Sequence, residues 1–315
     1  MSQRRALITG VNGQDGSYLA DILLERGYEV HGLYRHSSNP HHLHRIAHLT
    51  DKVTLHGGDV TDYGSVLKIV RDVMPDEVYH EADQDHVGFS LKAPHYSVSV
   101  TVGGAVNVME AIRTTVPDAR VFLPGSATMF RPVNLYSGGL TEGSAIHPDN
   151  PYACAKEHVY RLASYYRDVH KMFVVCGILF SHDSPRRGPN YLLQRIARAA
   201  AGGEKLELFD AHQCVDVGHA REYMDAASRT LQQGPPTDYV IGTGQPMCVA
   251  TIVRTAYEHC GLDSDLYFTN KETTKDSGIL VANPLRAYKY LGWSASLNAV
   301  DMVKLLVDHQ KGVRS

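Results

Sequence analysis

The chain has 315 residues, with 31 Lys and Arg against 34 Asp and Glu, for a formal charge of −3. That balance offers no basic footprint for nucleic acid, and no apolar run approaches the roughly 20 residues needed to span a bilayer. The length admits a large α/β domain with an added lobe. Five cysteines, Cys154, Cys176, Cys214, Cys248 and Cys260, are scattered without a CxxC pair. Such spacing argues against a disulfide framework or a structural zinc and for a reducing, cytoplasmic setting. The first strand-like run begins at Arg5, which leaves no room for a signal peptide. Among 18 histidines, His36, His41, His42 and His44 cluster. No carboxylate or Cys joins them at ligand spacing, so they read as a polar loop and no metal is expected.

In chain order, Arg5–Thr9 reads as a short buried strand. It is followed by the turn Gly10-Val11-Asn12-Gly13-Gln14-Asp15-Gly16 and a helix carrying Leu19, Ile22 and Leu23, with a stop at Gly27. A second strand follows at Glu29–Tyr34. The glycines stand where a βαβ unit turns tightly and approaches a diphosphate resting on the helix N-terminus, although the spacing is GxxGxxG rather than GxGxxG. Further strands are predicted at Val53–His56, Glu77–His80, Arg120–Pro124 and Phe173–Leu179, with helices at Tyr63–Val73, Tyr96–Thr115 and Tyr152–His170. After Leu179 the pattern loosens into a helix at Leu192–Ala201, a strand at Lys205–Phe209 and a tail punctuated by Gly and Pro, with a late strand at Tyr239–Gly242. The alternation predicts an α/β fold, a Rossmann-type doubly wound parallel sheet with a smaller, interleaved C-terminal substrate lobe. Residues 1–179, with a returning segment near 214–248, form the dinucleotide domain, and 180–213 with 249–315 form the lobe.

The end of the second strand bears on the cofactor. An acidic residue there would bind the ribose 2′-hydroxyl of NAD, but the chain offers Tyr34-Arg35-His36. Arg35 can pair with a 2′-phosphate, so NADP is favoured and NAD stays open. Asp59 and Val60, after the third strand, are expected near the adenine, and Gly10, Asn12, Gly13, Gln14, Asp15 and Gly16 near the diphosphate. Tyr152 and Lys156, four residues apart at a helix start, project from one face. A Tyr acts as a base near neutral pH only if its phenolate is stabilised, and an ammonium one turn away does so. Ser126, ending the intervening strand, can bond the same substrate hydroxyl. Together the three imply removal of hydride from a secondary alcohol by a nicotinamide, with Tyr152 taking the proton.

At this point the chain resembles the extended short-chain dehydrogenase/reductase family and, within it, the GDP-mannose 4,6-dehydratases. The resemblance rests on ALITGVNGQDGSYLADILLERGYEVHG (6–32), PDEVYH (75–80), GILFSHDSPRRG (177–188), GHAREYM (218–224) and YLGW (290–293). It implies that Ser126, Tyr152 and Lys156 are the catalytic trio and that Tyr152 and Lys156 also hold the cofactor. It further implies that the sugar is oxidised at C4, water leaves across C5/C6 and the hydride returns. NADP and a homodimer or homotetramer are implied as well.

The departures matter as much. Where the dehydratases carry Thr-Ser-Glu, this chain has Ser126-Ala127-Thr128, and Thr128 cannot do the work of the Glu that takes the C5 proton. Their small-residue stretch before His-Val is here Glu81-Ala82-Asp83-Gln84-Asp85-His86, so Asp85 becomes the candidate acid/base, with His86 behind it. One of two arginines that hold the diphosphate is replaced by Val215. The other falls, without alignment, at Thr273-Thr274-Lys275-Asp276, and the Asn expected before His182 is Ser181. Losing two charge-assisted forks would sacrifice several kcal/mol. Arg186, Arg187 and Lys275 remain to compensate, and His86, Ser181, Arg187 and Asn190 are the expected substrate contacts. The function read from this pattern is an NAD(P)-dependent sugar dehydratase whose nucleoside or nucleotide-type substrate lacks the usual diphosphate. An epimerase working through the same keto intermediate is the alternative. Joint retention of Ser126, Tyr152 and Lys156 counts against a non-enzymatic cofactor-binding sensor.

Overall fold

A computed structural model describes residues 3–39, 41–134, 137–271 and 278–313. In chain order these form β1 (Arg5–Thr9), α1 (Gln14–Glu25), β2 (Glu29–Tyr34), β3 (Val53–Gly57), α2 (Tyr63–Val73), β4 (Glu77–His80), α3 (Val87–Lys92), α4 (Pro94–Val98), α5 (Gly104–Thr115), β5 (Arg120–Ser126), α6 (Pro151–His170) and β6 (Val174–Leu179). They continue as β7 (Ser181–Asp183), α7 (Leu192–Gly202), β8 (Leu206–Phe209), β9 (Cys214–Val215), β10 (Val217–His219), α8 (Ala220–Thr230), β11 (Tyr239–Ile241), β12 (Met247–Cys248) and α9 (Val249–His259). The last elements are α10 (Ser264–Tyr267), β13 (Phe268–Lys271), α11 (Leu285–Leu291) and α12 (Ala299–Gln310).

Among the described residues, seven strands pair in parallel in the order β11-β6-β5-β4-β1-β2-β3. The strands read as apolar runs because both faces of the sheet are covered. Alternate side chains go to opposite faces: Ala6, Ile8, Phe122 and Val175 pack with α1 and α8, whereas Leu7, Val121, Leu123, Val174 and Cys176 pack with α2, α5 and α6. Chain order reverses between β1 and β4, which opens the crevice where such sheets bind ligands.

A third apolar cluster forms the lobe. It joins Leu193, Ile196 and Ala200 of α7 to Ile252 and Tyr257 of α9 and Met302, Val303 and Leu306 of α12. The segment 282–293, expected in the lobe, packs instead with the sheet through Ala282, Ala287, Leu291 and Trp293. The helix expected over 96–115 is divided, with a π-type turn at Ser99–Gly103 between α4 and α5, where Gly103-Gly104 weakens the α-helical ladder. Helices α8, α9 and α12 occupy what reads in sequence as a punctuated tail. In α8, AREYMDAASRT buries Ala220, Tyr223, Met224, Ala226 and Ala227 on one face. The segment Thr273-Thr274-Lys275-Asp276 lies outside the described residues.

Beside the sheet, Asp216 ties the wall of the crevice together. It is buried and accepts from Thr243 N at 3.0 Å, Thr243 Oγ1 at 2.6 Å, Gly244 N at 3.0 Å and Ala282 N at 2.8 Å. With Asp216 anchored, the preceding Val215 takes its place in the crevice wall. No helix among the described residues is long and apolar enough to cross a membrane.

Candidate active site

The turn after β1 lies at the switch point. Gly10 has φ +70°, and a Cβ there would stand 2.8 Å from Cα of Ala82, just beyond β4. A Cβ on Gly16 would strike the Gly10 carbonyl oxygen and come within 2.8 Å of Cα of Val11. Gly13 caps α1 in extended backbone with no side-chain bond to the helix, so the first N–H groups of α1 are left for an anion. This glycine-lined cradle at a helix start fits the diphosphate of a dinucleotide. Gly16→Ala is therefore expected to lower dinucleotide affinity at least tenfold and to cost about 1–3 kcal/mol of stability from overpacking. Nucleotide titration and thermal melting check this, and an unchanged affinity would contradict the close approach.

A cavity of about 540 Å³ extends from this turn across the carboxyl ends of the sheet. Gly13, Gln14, Asp15 and Gly16 line one side, Ser126, Thr128, Tyr152 and Lys156 another, and Ser181, His182, Arg187, Tyr191 and Val215 the lobe side. The Tyr152–Lys156 pair is positioned by the start of α6, where the Asn150 side chain accepts from Ala153 N at 3.0 Å and Pro151 opens the helix. Farther along, Arg167 grips Asp238, just before β11, at 2.8 and 2.9 Å and the Val174 carbonyl of β6 at 2.9 Å, which fixes α6 against that end of the sheet. Lys156 Nζ then donates to the Pro124 carbonyl of β5 at 2.8 Å. Ser126 Oγ lies 2.9 Å from Thr128 Oγ1. Burial raises the Tyr152 phenol above its ordinary value, with Lys156 and the Ser126 hydrogen bond opposing and Asp83 and Asp85 adding to the rise.

The acids after β4 are sorted by their contacts. Asp83 Oδ2 meets Lys156 Nζ at 2.5 Å, the two side chains being 11% and 5% exposed. Asp85 is 50% exposed; its Oδ1 accepts from the Tyr191 hydroxyl at 3.0 Å and its Oδ2 pairs with Arg187 at 3.0 Å. The Arg187 guanidinium stacks 3.6 Å over the Tyr191 ring. Glu81 Oε1 is sealed from solvent without a hydrogen-bond partner, and burial foremost, then Asp15, pushes this carboxyl up to about 8. His86 lines the cavity while capping α3, its Nδ1 accepting from Phe89 N at 3.1 Å. His182 Nε2 meets Asp15 Oδ2 at 2.9 Å. Against the cost of burial, that contact holds Asp15 down at about 2 and raises His182.

Other expected contacts fall outside the cavity wall. Gly10 shapes the turn from behind. Asn12 Nδ2 donates to the His42 carbonyl at 2.9 Å. Arg35 is exposed at the end of β2 and donates to the Tyr96 hydroxyl at 2.7 Å. Asp59 closes its own turn on Thr61 N at 2.9 Å, Val60 is buried, and Asn190 is exposed on the loop before α7. In the histidine-rich loop, the His42 and His44 rings bond the Asn39 and His41 carbonyls at 2.7 and 2.6 Å. Sequence reasoning places the segment with Asp83 and Asp85 close to cofactor and sugar but does not single out Glu81, His182 or Tyr191 as site residues. A usable signal was present for Glu81, a carboxylate directly after the fully buried strand EVYH.

The strand order, the glycine cradle at the switch point and the Ser126–Tyr152–Lys156 arrangement define the class of extended short-chain dehydrogenases/reductases. The family profile for GDP-mannose 4,6 dehydratase matches residues 7–306. The chain is 34% identical over 335 residues to GDP-mannose 4,6 dehydratase 2 of Caenorhabditis elegans, covering 96% of this chain and 87% of the relative. Its fold is similar to that of UDP-glucose 4-epimerase from Thermotoga maritima, solved with UDP-glucose (TM-score 0.87, 20% identity, 97% and 98% of the two chains covered). It is also similar to dTDP-glucose 4,6-dehydratase from Bacillus anthracis, solved with NAD (TM-score 0.85, 16% identity, 97% and 96% covered). The chain belongs to the GDP-mannose 4,6-dehydratase family.

Proposed function

We propose that the chain is an NADP-linked dehydratase acting on the sugar of a nucleoside or nucleotide-type substrate that lacks the diphosphate of GDP-mannose. The observation that carries this reading is the charge of the cavity wall. Val215 stands there at a position the family resemblance gives to Arg, and the strong cations of the wall, Lys156 and Arg187, already face Asp83 and Asp85. Asp15, Glu81 and Asp183 add further carboxyl groups to the same wall. A sugar diphosphate needs charge-assisted donors, and Lys275 lies outside the described residues. Arg35, exposed beyond the glycine turn, supports NADP over NAD.

When bound, the nicotinamide cofactor accepts and later returns a hydride. Tyr152 exchanges the proton of the sugar hydroxyl, Ser126 orients that hydroxyl, and Lys156 is anchored on Pro124. Asp85 replaces the family's missing Glu as acid/base; both of its oxygens are engaged, so it acts by exchanging Tyr191 or Arg187 for substrate. Thr128, bonded to Ser126, lacks the basicity for that step. Exposed Phe89, Leu91, Val98, Tyr165 and Val169 on α3, α4 and α6 support self-association into a homodimer or homotetramer. Five free cysteines fit a reducing, cytoplasmic setting.

Incubation with GDP-mannose, nucleosides and nucleoside monophosphates, read by product mass, tests the substrate. Loss of one water from a ligand without a diphosphate is expected, and efficient turnover of GDP-mannose overturns the reading. Asp85→Asn is expected to lower dehydration about a hundredfold, in the range of a lost acid/base group; unchanged turnover removes Asp85 from the mechanism. Thr128 in the place of Glu favours a second reading, an epimerase, whose product has the mass of its substrate.

A further inference from the structure

Cys214 and Cys248 stand directly opposite each other in the antiparallel pair β9–β12. Opposite residues of such a pair alternate between hydrogen-bonded and non-hydrogen-bonded positions. Val249 N donates to the Gln213 carbonyl at 2.9 Å, which puts Gln213 and Val249 in a hydrogen-bonded position. One step along each strand, Cys214 and Cys248 therefore take a non-hydrogen-bonded one, where Cα atoms stand about 4.5 Å apart and side chains approach most closely. That separation falls within the roughly 4.4–6.8 Å that a disulfide spans. Both cysteines are free and partly exposed, so a small oxidant has access to them. The Cys214 thiol reaches the His212 carbonyl at 3.9 Å. Burial first, then the Cys248 thiol beside it, pushes Cys214 up to about 11, so it rests as a thiol at neutral pH.

The two thiols belong to different parts of the molecule. Cys214 directly precedes Val215 of the cavity wall, whereas Cys248 is the N-cap of α9, whose Ile252 and Val253 lie in the core of the lobe. We propose that Cys214 and Cys248 are a modification site, a thiol pair that a low-molecular-weight disulfide converts to a cross-strand disulfide tying the start of α9 to the cavity wall. One protein thiolate attacks a sulfur of the small disulfide and expels a small thiolate. The second protein thiolate then attacks the mixed disulfide and expels the other. The protein loses two protons and two electrons, and the small disulfide is reduced to two thiols. The new bond closes the loop 214–248, which holds β10, α8 and β11, and so removes freedom from the unfolded chain. Reversible pairing of this kind is the form disulfides usually take in a reducing compartment. The step uses neither the cofactor nor the substrate and is independent of the function proposed above.

The test incubates the folded full chain with oxidised glutathione overnight, alkylates it with iodoacetamide in denaturant and reads intact mass and the map of unreduced peptides. Three of the five cysteines are expected to be alkylated, with one peptide pair joined through Cys214 and Cys248. The melting temperature is expected to rise by at least about 3 °C and to return on treatment with dithiothreitol. Neither change is expected in Cys214→Ser or Cys248→Ser, and both are expected in Cys260→Ser. Five alkylated cysteines in the treated wild type overturn the proposal, as do separate glutathione adducts on Cys214 and Cys248 or a bond that engages Cys154, Cys176 or Cys260. A Cys214–Cys248 bond that leaves the melting temperature unmoved overturns the tie between lobe and wall. The wild-type peptide map decides the pairing even if a serine variant fails to fold.

Discussion

Tyr152→Phe is expected to slow hydride exchange between sugar and cofactor by about a thousandfold, roughly 4 kcal/mol of barrier, while dinucleotide affinity stays within a few-fold of wild type. The phenol is the group proposed above to relay the hydroxyl proton. It stands one helical turn from Lys156, is hydrogen-bonded by Ser126, and lines the same wall as both. Phe keeps the buried ring and its packing, and Lys156 keeps its anchors on Pro124 and Asp83. The lesion therefore falls on proton transfer rather than on folding or on the glycine cradle. Single-turnover change in nicotinamide absorbance with the substrate found by mass screening measures it. A wild-type rate in the variant would take Tyr152 out of the proton path.

Glu81→Gln is expected to stabilise the fold by an amount that grows with pH. Burial first, then the charges of Asp15 and Asp83 working against Lys156, lifts this carboxyl from 4.5 to about 8. Between those values the folded chain holds a proton that the unfolded chain has released. Stability therefore falls as pH rises through that window and levels off above about 8. The slope is at most about 1.4 kcal/mol per pH unit, so the accumulated cost reaches a few kcal/mol. Gln has no proton to lose, and the variant should escape the decline. Denaturant unfolding at pH values across the window measures both curves. Parallel curves for the two proteins would show that Glu81 does not carry the raised titration.

Much of the fold was legible because its signals are local and dense. Strands β1, β2, β4, β5 and β6 are buried apolar runs, and the glycines between β1 and α1 punctuate them where backbone must meet backbone, as Gly10 does at Ala82. Tyr152 and Lys156 were legible because helical spacing alone puts them on one face. Helices α8, α9 and α12 were less so, because Gly and Pro punctuate the chain around them, although each buries an apolar face. The division of labour among Glu81, Asp83 and Asp85 was not legible at all. In sequence they are three similar acids within five residues, and Asp85 was chosen from a segment expected beside cofactor and sugar. Their difference comes from partners far along the chain: Lys156 for Asp83, Arg187 and Tyr191 for Asp85, and none for the sealed oxygen of Glu81. Only tertiary structure supplies those distances.

The four donors gathered by Asp216 have an evolutionary meaning. They secure the main chain beside position 215 without involving that residue's own side chain. Under the proposed function, a lineage can exchange the side chain at 215 on the cavity wall, and with it what the wall offers a substrate, while the four bonds of Asp216 keep the surrounding main chain in place.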